Sequence, residues 1–260
     1  MRLKFYHIFA ALLLGFSINA QETIQPKQMD TNLGVVYNQE FALGMRLHTN
    51  GFAIGTNFGK LKTYYLTKYF HFEIGELKHE KEFRQSFDTP TPINGRISKA
   101  FKYGKQNNLY VIRGAMGAKR YFSEKAKHKG VAFGISYEGG ATLGLLKPYY
   151  LDLRGSDGQA SIATKYSEED SENFLNVYSI LGASGWTKGL SEISILPGAH
   201  GKFAVHFDWG AYDEYLKSIE AGIMVDFFSK KAPIMVEQDN VENNQLFLNL
   251  FLHLQFGKRW

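Results

Sequence analysis

Leu246-Phe247-Leu248-Asn249-Leu250-Phe251-Leu252-His253-Leu254-Gln255-Phe256-Gly257-Lys258-Arg259-Trp260 closes the chain. The even positions from Leu246 to Phe256, and Trp260 after them, are apolar, while Asn249, Phe251, His253, Gln255 and Arg259 occupy the other phase. A period of two held for more than ten residues describes a strand with one greasy face and one mostly polar face. Apolar outside and polar inside is the pattern demanded of the wall of a transmembrane β-barrel.

The same pattern recurs upstream. Phe41, Leu43, Met45 and Leu47 alternate with Glu40, Ala42, Gly44, Arg46 and His48, and after Asn50-Gly51, a strong hairpin signal, Phe52, Ile54 and Phe58 alternate with Ala53, Gly55 and Asn57. A third run sets Tyr64, Leu66, Phe70, Phe72 and Ile74 against Thr63, Tyr65, Thr67, Tyr69, His71 and Glu73, with Lys68 interrupting its apolar face. Further runs lie at 110–122, 131–145, 203–209 and 219–227. With the last strand this predicts an antiparallel up-and-down barrel of about eight strands, ten being the alternative count. Periplasmic turns are expected near 59–61, 123–129 and 210–216. Outer connections are expected near 48–51, 77–107, 147–197 and 229–244, three of them long. Short turns on one side and long loops on the other are usual for bacterial outer-membrane barrels. Phe58, Phe122, Trp209 and Trp260 then fall in the outward phase at the periplasmic end of every second strand, as an aromatic girdle does. A secreted soluble β-domain is the competing reading.

The start of the chain agrees with export. Arg2 and Lys4 precede an apolar stretch that gives way to Ser17-Ile18-Asn19-Ala20, the layout of a cleavable secretory leader over 1–20. The domain plan is thus leader 1–20, periplasmic segment 21–37 and barrel 38–260. Loss of Arg2 and Lys4 lowers the formal charge of +5 by two, too small an excess to suggest nucleic acid. The chain has no cysteine, which excludes an N-terminally acylated lipoprotein and a disulfide scaffold, while 15 Tyr, 21 Phe and 26 Gly favour β structure.

The ending Gln255-Phe256-Gly257-Lys258-Arg259-Trp260 resembles the C-terminal sorting strand of outer-membrane proteins, which implies recognition by the barrel-assembly machinery. Together with Gly144-Leu145-Leu146-Lys147-Pro148-Tyr149-Tyr150 it resembles an uncharacterised outer-membrane barrel family of the Bacteroidota. That resemblance implies location and fold and no activity. Lys258 departs from the usual apolar choice near the end, and its stem suits snorkelling toward headgroups.

An eight-stranded barrel is filled by its own side chains. The expected lumen network comprises Glu40, Arg46, Glu73, Arg113, Lys119, Glu138, Lys202, Asp208, Glu220, Asp226 and Arg259, paired by sign because unpaired buried charge is costly. His200, His206 and His253 share this phase, but strand positions six apart are separated by roughly 20 Å, so His200 and His206 do not share a metal ion. Ser136 and Glu138, about 7 Å apart on one face, have no histidine assigned to them, so no catalytic, cofactor or metal site is expected. In the longest loop, Ser167-Glu168-Glu169-Asp170 reads as a helix start, with Phe174, Val177, Tyr178 and Leu181 at helical spacing. This loop is expected to fold back over the barrel mouth, and partner binding is the alternative, with Phe174, Tyr178 and Trp186 as the candidate partner-facing residues. The 77–107 loop mixes Lys78, Lys81 and Arg84 with Glu76, Glu80 and Glu82, which reads as a solvated surface, with contact between its basic residues and anionic lipopolysaccharide as the alternative. The function expected is a non-catalytic structural or surface-interaction barrel in contact with outer-membrane lipids, with termini in the periplasm. A lipid-modifying enzyme and a narrow solute channel are the alternatives.

Overall fold

Cross-strand register closes the alternating segments into one wall. The computed structural model describes residues 37–86, 99–124, 130–155, 161–210, 214–238 and 240–260. Among them lie β1 (Gln39–His48), β2 (Gly51–Thr63), β3 (Leu66–Leu77), β4 (Arg84–Gln85), β5 (Phe101–Lys102), β6 (Asn107–Tyr121), β7 (Ala132–Pro148), β8 (Tyr150–Arg154), β9 (Ser161–Lys165), β10 (Ile180–Ala183), β11 (Ser194–Asp208), β12 (Tyr215–Phe228) and β13 (Leu246–Arg259). Eight of these make a closed antiparallel barrel in the order β1-β13-β12-β11-β7-β6-β3-β2. The seam is β1 against β13, from Glu40 opposite Arg259 to His48 opposite Phe251. The leader 1–20, most of 21–37, and parts of the connections at 77–107, 123–129, 147–197 and 210–216 lie outside the described residues.

The alternation sorts as the pattern requires. Leu248, Leu250 and Leu252 of β13 point outward and are exposed, while Asn249, His253 and Gln255 between them are buried. Outward apolar residues continue around the wall through Met45, Ile54, Phe72, Met116, Leu143, Phe203 and Ile223. On β13 this surface runs from Leu246 to Phe256, roughly 33 Å of strand and about 25 Å of height at a usual barrel tilt.

Two connections differ in detail from the sequence reading. His48 pairs with Gly51, so the β1–β2 hairpin turns on Thr49-Asn50 and Gly51 is the first residue of β2. Gly51 has φ +149°, and a Cβ there would meet the Glu76 carbonyl at 2.0 Å. The turn expected near 59–61 lies instead at Tyr64-Tyr65, because β2 and β3 stay paired to Thr63 and Leu66. That extension explains Lys68. It lies beyond the Phe58–Phe70 pair toward the turn, opposite Lys60.

The end of the barrel opposite Tyr64-Tyr65 is closed and capped. Ala232, Ile234 and Met235, from the β12–β13 connection, pack with Leu77, Leu109, Val111, Leu146, Leu196, Phe228 and Phe247 into one apolar core across the mouth. Beyond it, Phe101, Leu151, Leu153, Phe174, Ile180 and Val236 form a second core. This cap contains the three-stranded sheet β10-β8-β9 and the pair β4-β5. The mouth is therefore plugged by residues 229–238 and 240–245, while residues 149–155 and 161–193 build the cap. The helix expected to carry Phe174 through Leu181 is only Ser171–Leu175, followed by a 3-10 turn at Val177–Ser179 and then β10.

Candidate functional site

The lumen is filled by a continuous chain of charged and polar contacts. Arg113 donates to both Asp226 carboxylate oxygens at 2.8 and 2.9 Å and to Glu73 at 2.6 Å. Arg46 links Glu73 at 3.1 Å to Glu138 at 3.4 Å. Lys202 then joins Glu138 at 2.9 Å to Glu220 at 3.0 Å. His206 carries the chain from Glu220 to the Tyr121 hydroxyl, at 3.0 and 3.1 Å. Arg259 finishes it, contacting Tyr121 at 3.2 Å, Asp208 at 3.1 Å and Glu40 at 2.9 Å, with Lys119 on Glu40 at 3.0 Å. The lumen set read from alternation, Glu40, Arg46, Glu73, Arg113, Lys119, Glu138, Lys202, Asp208, Glu220, Asp226 and Arg259, is buried throughout. Opposite charges from different strands face one another, which offsets the desolvation of each.

Gly44 and Gly55, paired across β1 and β2, leave room for this network. A Cβ on Gly44 would come within 2.2 Å of the His253 ring and one on Gly55 within 3.1 Å of the His71 ring.

The histidines are bonded within the same network. His206 and His253 both approach Glu220, at 3.0 and 3.4 Å, and His200 meets the Thr142 hydroxyl at 3.0 Å. Among the described residues no three His, Cys, Asp or Glu side chains are placed to hold a metal ion. Ser136 is buried opposite Lys119 and Ala204, while Glu138 is engaged by Tyr69, Arg46 and Lys202. Among the described residues the Ser136 hydroxyl has no hydrogen-bond partner, so no base is engaged with it.

Phe58, Phe122, Trp209 and Trp260 are all exposed on the outer wall at the end where the chain turns at Tyr64-Tyr65. Phe58 lies 5.1 Å from Phe41, and Phe122 leads through Phe133 to Phe207 at 5.9 and 5.4 Å, so aromatic rings continue around that rim. Of the three cap residues read as partner-facing, Tyr178 and Trp186 are exposed, whereas Phe174 is fully buried in the cap core. Phe174 is a packing residue. Its helix ends too soon to carry an apolar stripe, and the ring meets Tyr166 at 5.6 Å instead.

The plug is the feature that alternation did not reveal. Asn243 holds it, accepting from the backbone N–H of Ile234 and of Met235 at 2.9 and 3.0 Å and donating to the Met235 carbonyl at 2.8 Å. Its sequence signal was the apolar run Ala232-Pro233-Ile234-Met235-Val236, out of character for an exposed loop. Three buried hydrogen bonds at about 1 kcal/mol each set the expected effect of Asn243→Ala. Hydrogen exchange at 232–236 should quicken by one to two orders of magnitude while the barrel strands keep their protection.

A buried ion cluster ties the cap together. Glu82 is engaged by Lys102 and by Lys105 at 2.8 Å, and the Lys105 amine is wholly buried near the Tyr149 ring. Burial pushes Lys105 down to about 8, the two lysines hold Glu82 below the usual carboxylate range, and Glu82 raises Lys102. Glu82 therefore stabilises the cap above its unfolded pKa and loses that contribution as pH falls through its lowered one. Lys105 has the opposite requirement to a paired lysine: its folded pKa lies below its unfolded value, so cap stability rises between about pH 8 and 10.5. Urea unfolding of the cap, followed by Trp186 emission in a Trp209→Phe, Trp260→Phe background, should show an acid loss and this alkaline gain. A flat profile from pH 7 to 10 would contradict the burial of Lys105.

No family model matches the chain, and no curated protein matches it. Among solved structures, it is similar to the N-terminal β-barrel domain of Pseudomonas aeruginosa OprF at 8% identity, over 86% of this chain and 98% of that one, with a TM-score of 0.38. Ail, the attachment invasion locus protein of Yersinia pestis, aligns at 6% identity over 86% and 99% with a TM-score of 0.39. Neisserial surface protein A aligns at 9% identity over 86% and 94% with a TM-score of 0.36. The functional reading below rests on the chain's own surfaces.

Proposed function

We propose that this chain is an integral outer-membrane barrel whose cap, and not its lumen, acts as a non-catalytic binding surface at the cell exterior. The observation that carries the reading is a single wall that is apolar all round on its outside and sealed on its inside. A continuous exposed belt from Leu246 to Phe256 and its neighbours far exceeds the apolar patches soluble monomers show, and lipid is the solvent that suits it. Short turns and the aromatic rim at one end, with three long connections at the other, favour the turn end, with both chain ends, in the periplasm. We assign β13, with Trp260 next after it, as the strand presented to the barrel-assembly machinery. The apolar plug and the paired lumen charges argue against a solute channel, and the surroundings of Ser136 argue against a lipid hydrolase.

In an outer-membrane fraction the protein should migrate as a heat-modifiable barrel, stay silent in planar bilayers, and leave lipid A masses unchanged on deletion. Stepwise conductance would favour the channel instead. An altered lipid A mass would favour the enzyme.

A further inference from the structure

Where the cap meets the barrel wall there is a half-enclosed cleft of about 400 Å³, within the size range of small-ligand sites. Its walls are aromatic: Tyr110 from β6, Tyr149 and Tyr150 after β7, and Trp186. Its charge is lopsided, with Arg84, Lys102, Lys147 and Lys188 against the single carboxylate of Glu76. Lys102 is engaged by Glu82, and Glu76 lies 3.8 Å from Lys78 outside the cleft. Arg84, Lys147 and Lys188 have no carboxylate partner among the described residues. Lys147 is the informative one: it is 3% exposed, donates to the Trp186 carbonyl and sits 4.5 Å from the Trp186 ring, so a buried ammonium faces no counter-charge. A buried cation of this kind is stabilised by an incoming anion.

The cleft is shaped before any ligand arrives. Trp186 Nε1 donates to the Tyr110 hydroxyl at 3.1 Å, and Ser184 N–H donates to the Tyr150 carbonyl at 3.0 Å. Gly189, at φ +80°, closes the turn behind Trp186 where a Cβ would meet the Pro148 carbonyl at 2.9 Å.

Its position adds a second observation. Asn108 and Lys147 pair across β6 and β7 at the rim of the lipid-facing wall, with Ile112 and Leu143 in the outward phase below them. Directly beneath, the wall becomes smooth: Gly114, Ala141 and Ala199 form one cross-strand row, and Gly139 and Gly201 lie in the next. Phe72 and Phe227 bound that row on either side. A Cβ added to Gly114 would meet nothing within 4 Å. A cationic, aromatic cleft at headgroup height thus stands above a shallow apolar trough wide enough for acyl chains.

We propose that this cleft and trough together bind a phosphorylated glycolipid of the outer leaflet, with sugar rings against Trp186 and the tyrosines, phosphate on Lys147, Lys188 and Arg84, and acyl chains over Gly114 and Gly139. The assignment rests on the orientation proposed above. Guanidinium and ammonium groups supply charge-assisted bonds to phosphate, and amphipathic aromatic rings serve both the polar and apolar parts of such a lipid.

The test uses the full-length protein with Trp209→Phe and Trp260→Phe, so that emission reports Trp186 alone. It is incorporated into phosphatidylethanolamine nanodiscs containing lipid A or its chemically dephosphorylated form. The expected result is a saturable shift in Trp186 emission with lipid A, at least tenfold weaker with the dephosphorylated lipid. Lys147→Gln with Lys188→Gln should weaken it at least tenfold, and Gly114→Leu, which has room in the fold and fills the trough, several-fold. Arg84→Gln with Lys188→Gln, at two exposed positions, repeats the charge test without touching the buried Lys147. Equal titration by both lipids, or no change in either charge variant that remains heat-modifiable, overturns the cleft while leaving the membrane reading standing. Failure to enter nanodiscs overturns both.

Discussion

Arg113→Met is expected to destabilise the barrel by about 3–5 kcal/mol, the usual result of removing one partner from a buried ion cluster. The substitution keeps most of the side-chain volume, so little of the loss comes from a cavity. It arises because Glu73 and Asp226, both fully buried, lose the guanidinium that neutralises them at 2.6–2.9 Å. Glu73 retains Arg46, whereas among the described residues Asp226 keeps only a long contact from the Thr142 hydroxyl at 3.5 Å. Urea titration of the barrel in phospholipid vesicles, followed by heat-modifiability on gels, measures the effect. Adding Asp226→Asn to Arg113→Met should recover most of it, since one charge of each sign is then removed and Glu73 keeps Arg46. A loss under about 1 kcal/mol for Arg113→Met would mean that water reaches this level of the lumen.

That outcome bears on function as well as stability. A conducting lumen needs mobile water, and mobile water would screen Asp226 once Arg113 is gone. The size of the effect therefore separates a packed interior from a pore by a thermodynamic route independent of conductance.

The strands and the lumen were legible because one periodicity encodes both. Once Leu246, Leu248 and Leu250 point outward, Asn249, Phe251 and His253 point inward, and the sign of each inward charge can be read directly. Which charges meet depends on register and shear, so the link from Arg113 across to Asp226 was not legible. Strand ends were harder: Tyr64 and Tyr65 continue the alternation through the turn, and Asn50-Gly51 placed the first hairpin one residue late. The plug at Ala232–Val236 and the cleft around Lys147 escaped for a different reason. Both are made by irregular backbone held by single side chains such as Asn243, and no period marks them. Tyr178 and Trp186 are exposed while Phe174 is buried, a difference the helical spacing did not show, because spacing alone does not distinguish a short helix that packs inward from a longer one that faces out.

Leu252→Arg should cost about 2–4 kcal/mol when the protein is folded in a bilayer, because the residue points outward near the middle of the apolar belt. Its cross-strand partners are Leu47 and Ala221, so no carboxylate lies beside it on either neighbouring strand to offset the charge. The same substitution at Phe256, near the aromatic rim, should cost about 1 kcal/mol or less, since the guanidinium can reach headgroups there. A depth profile that peaks at Leu250 and Leu252 and falls toward Leu246 and Phe256 is the signature of a wall immersed in hydrocarbon. It would be measured as urea unfolding of each variant in vesicles of one composition. A soluble barrel predicts the reverse, with every outward arginine neutral or favourable and the Leu252 variant the more soluble protein. A flat profile across these positions would therefore overturn the membrane reading, and the glycolipid cleft built on it would fall as well.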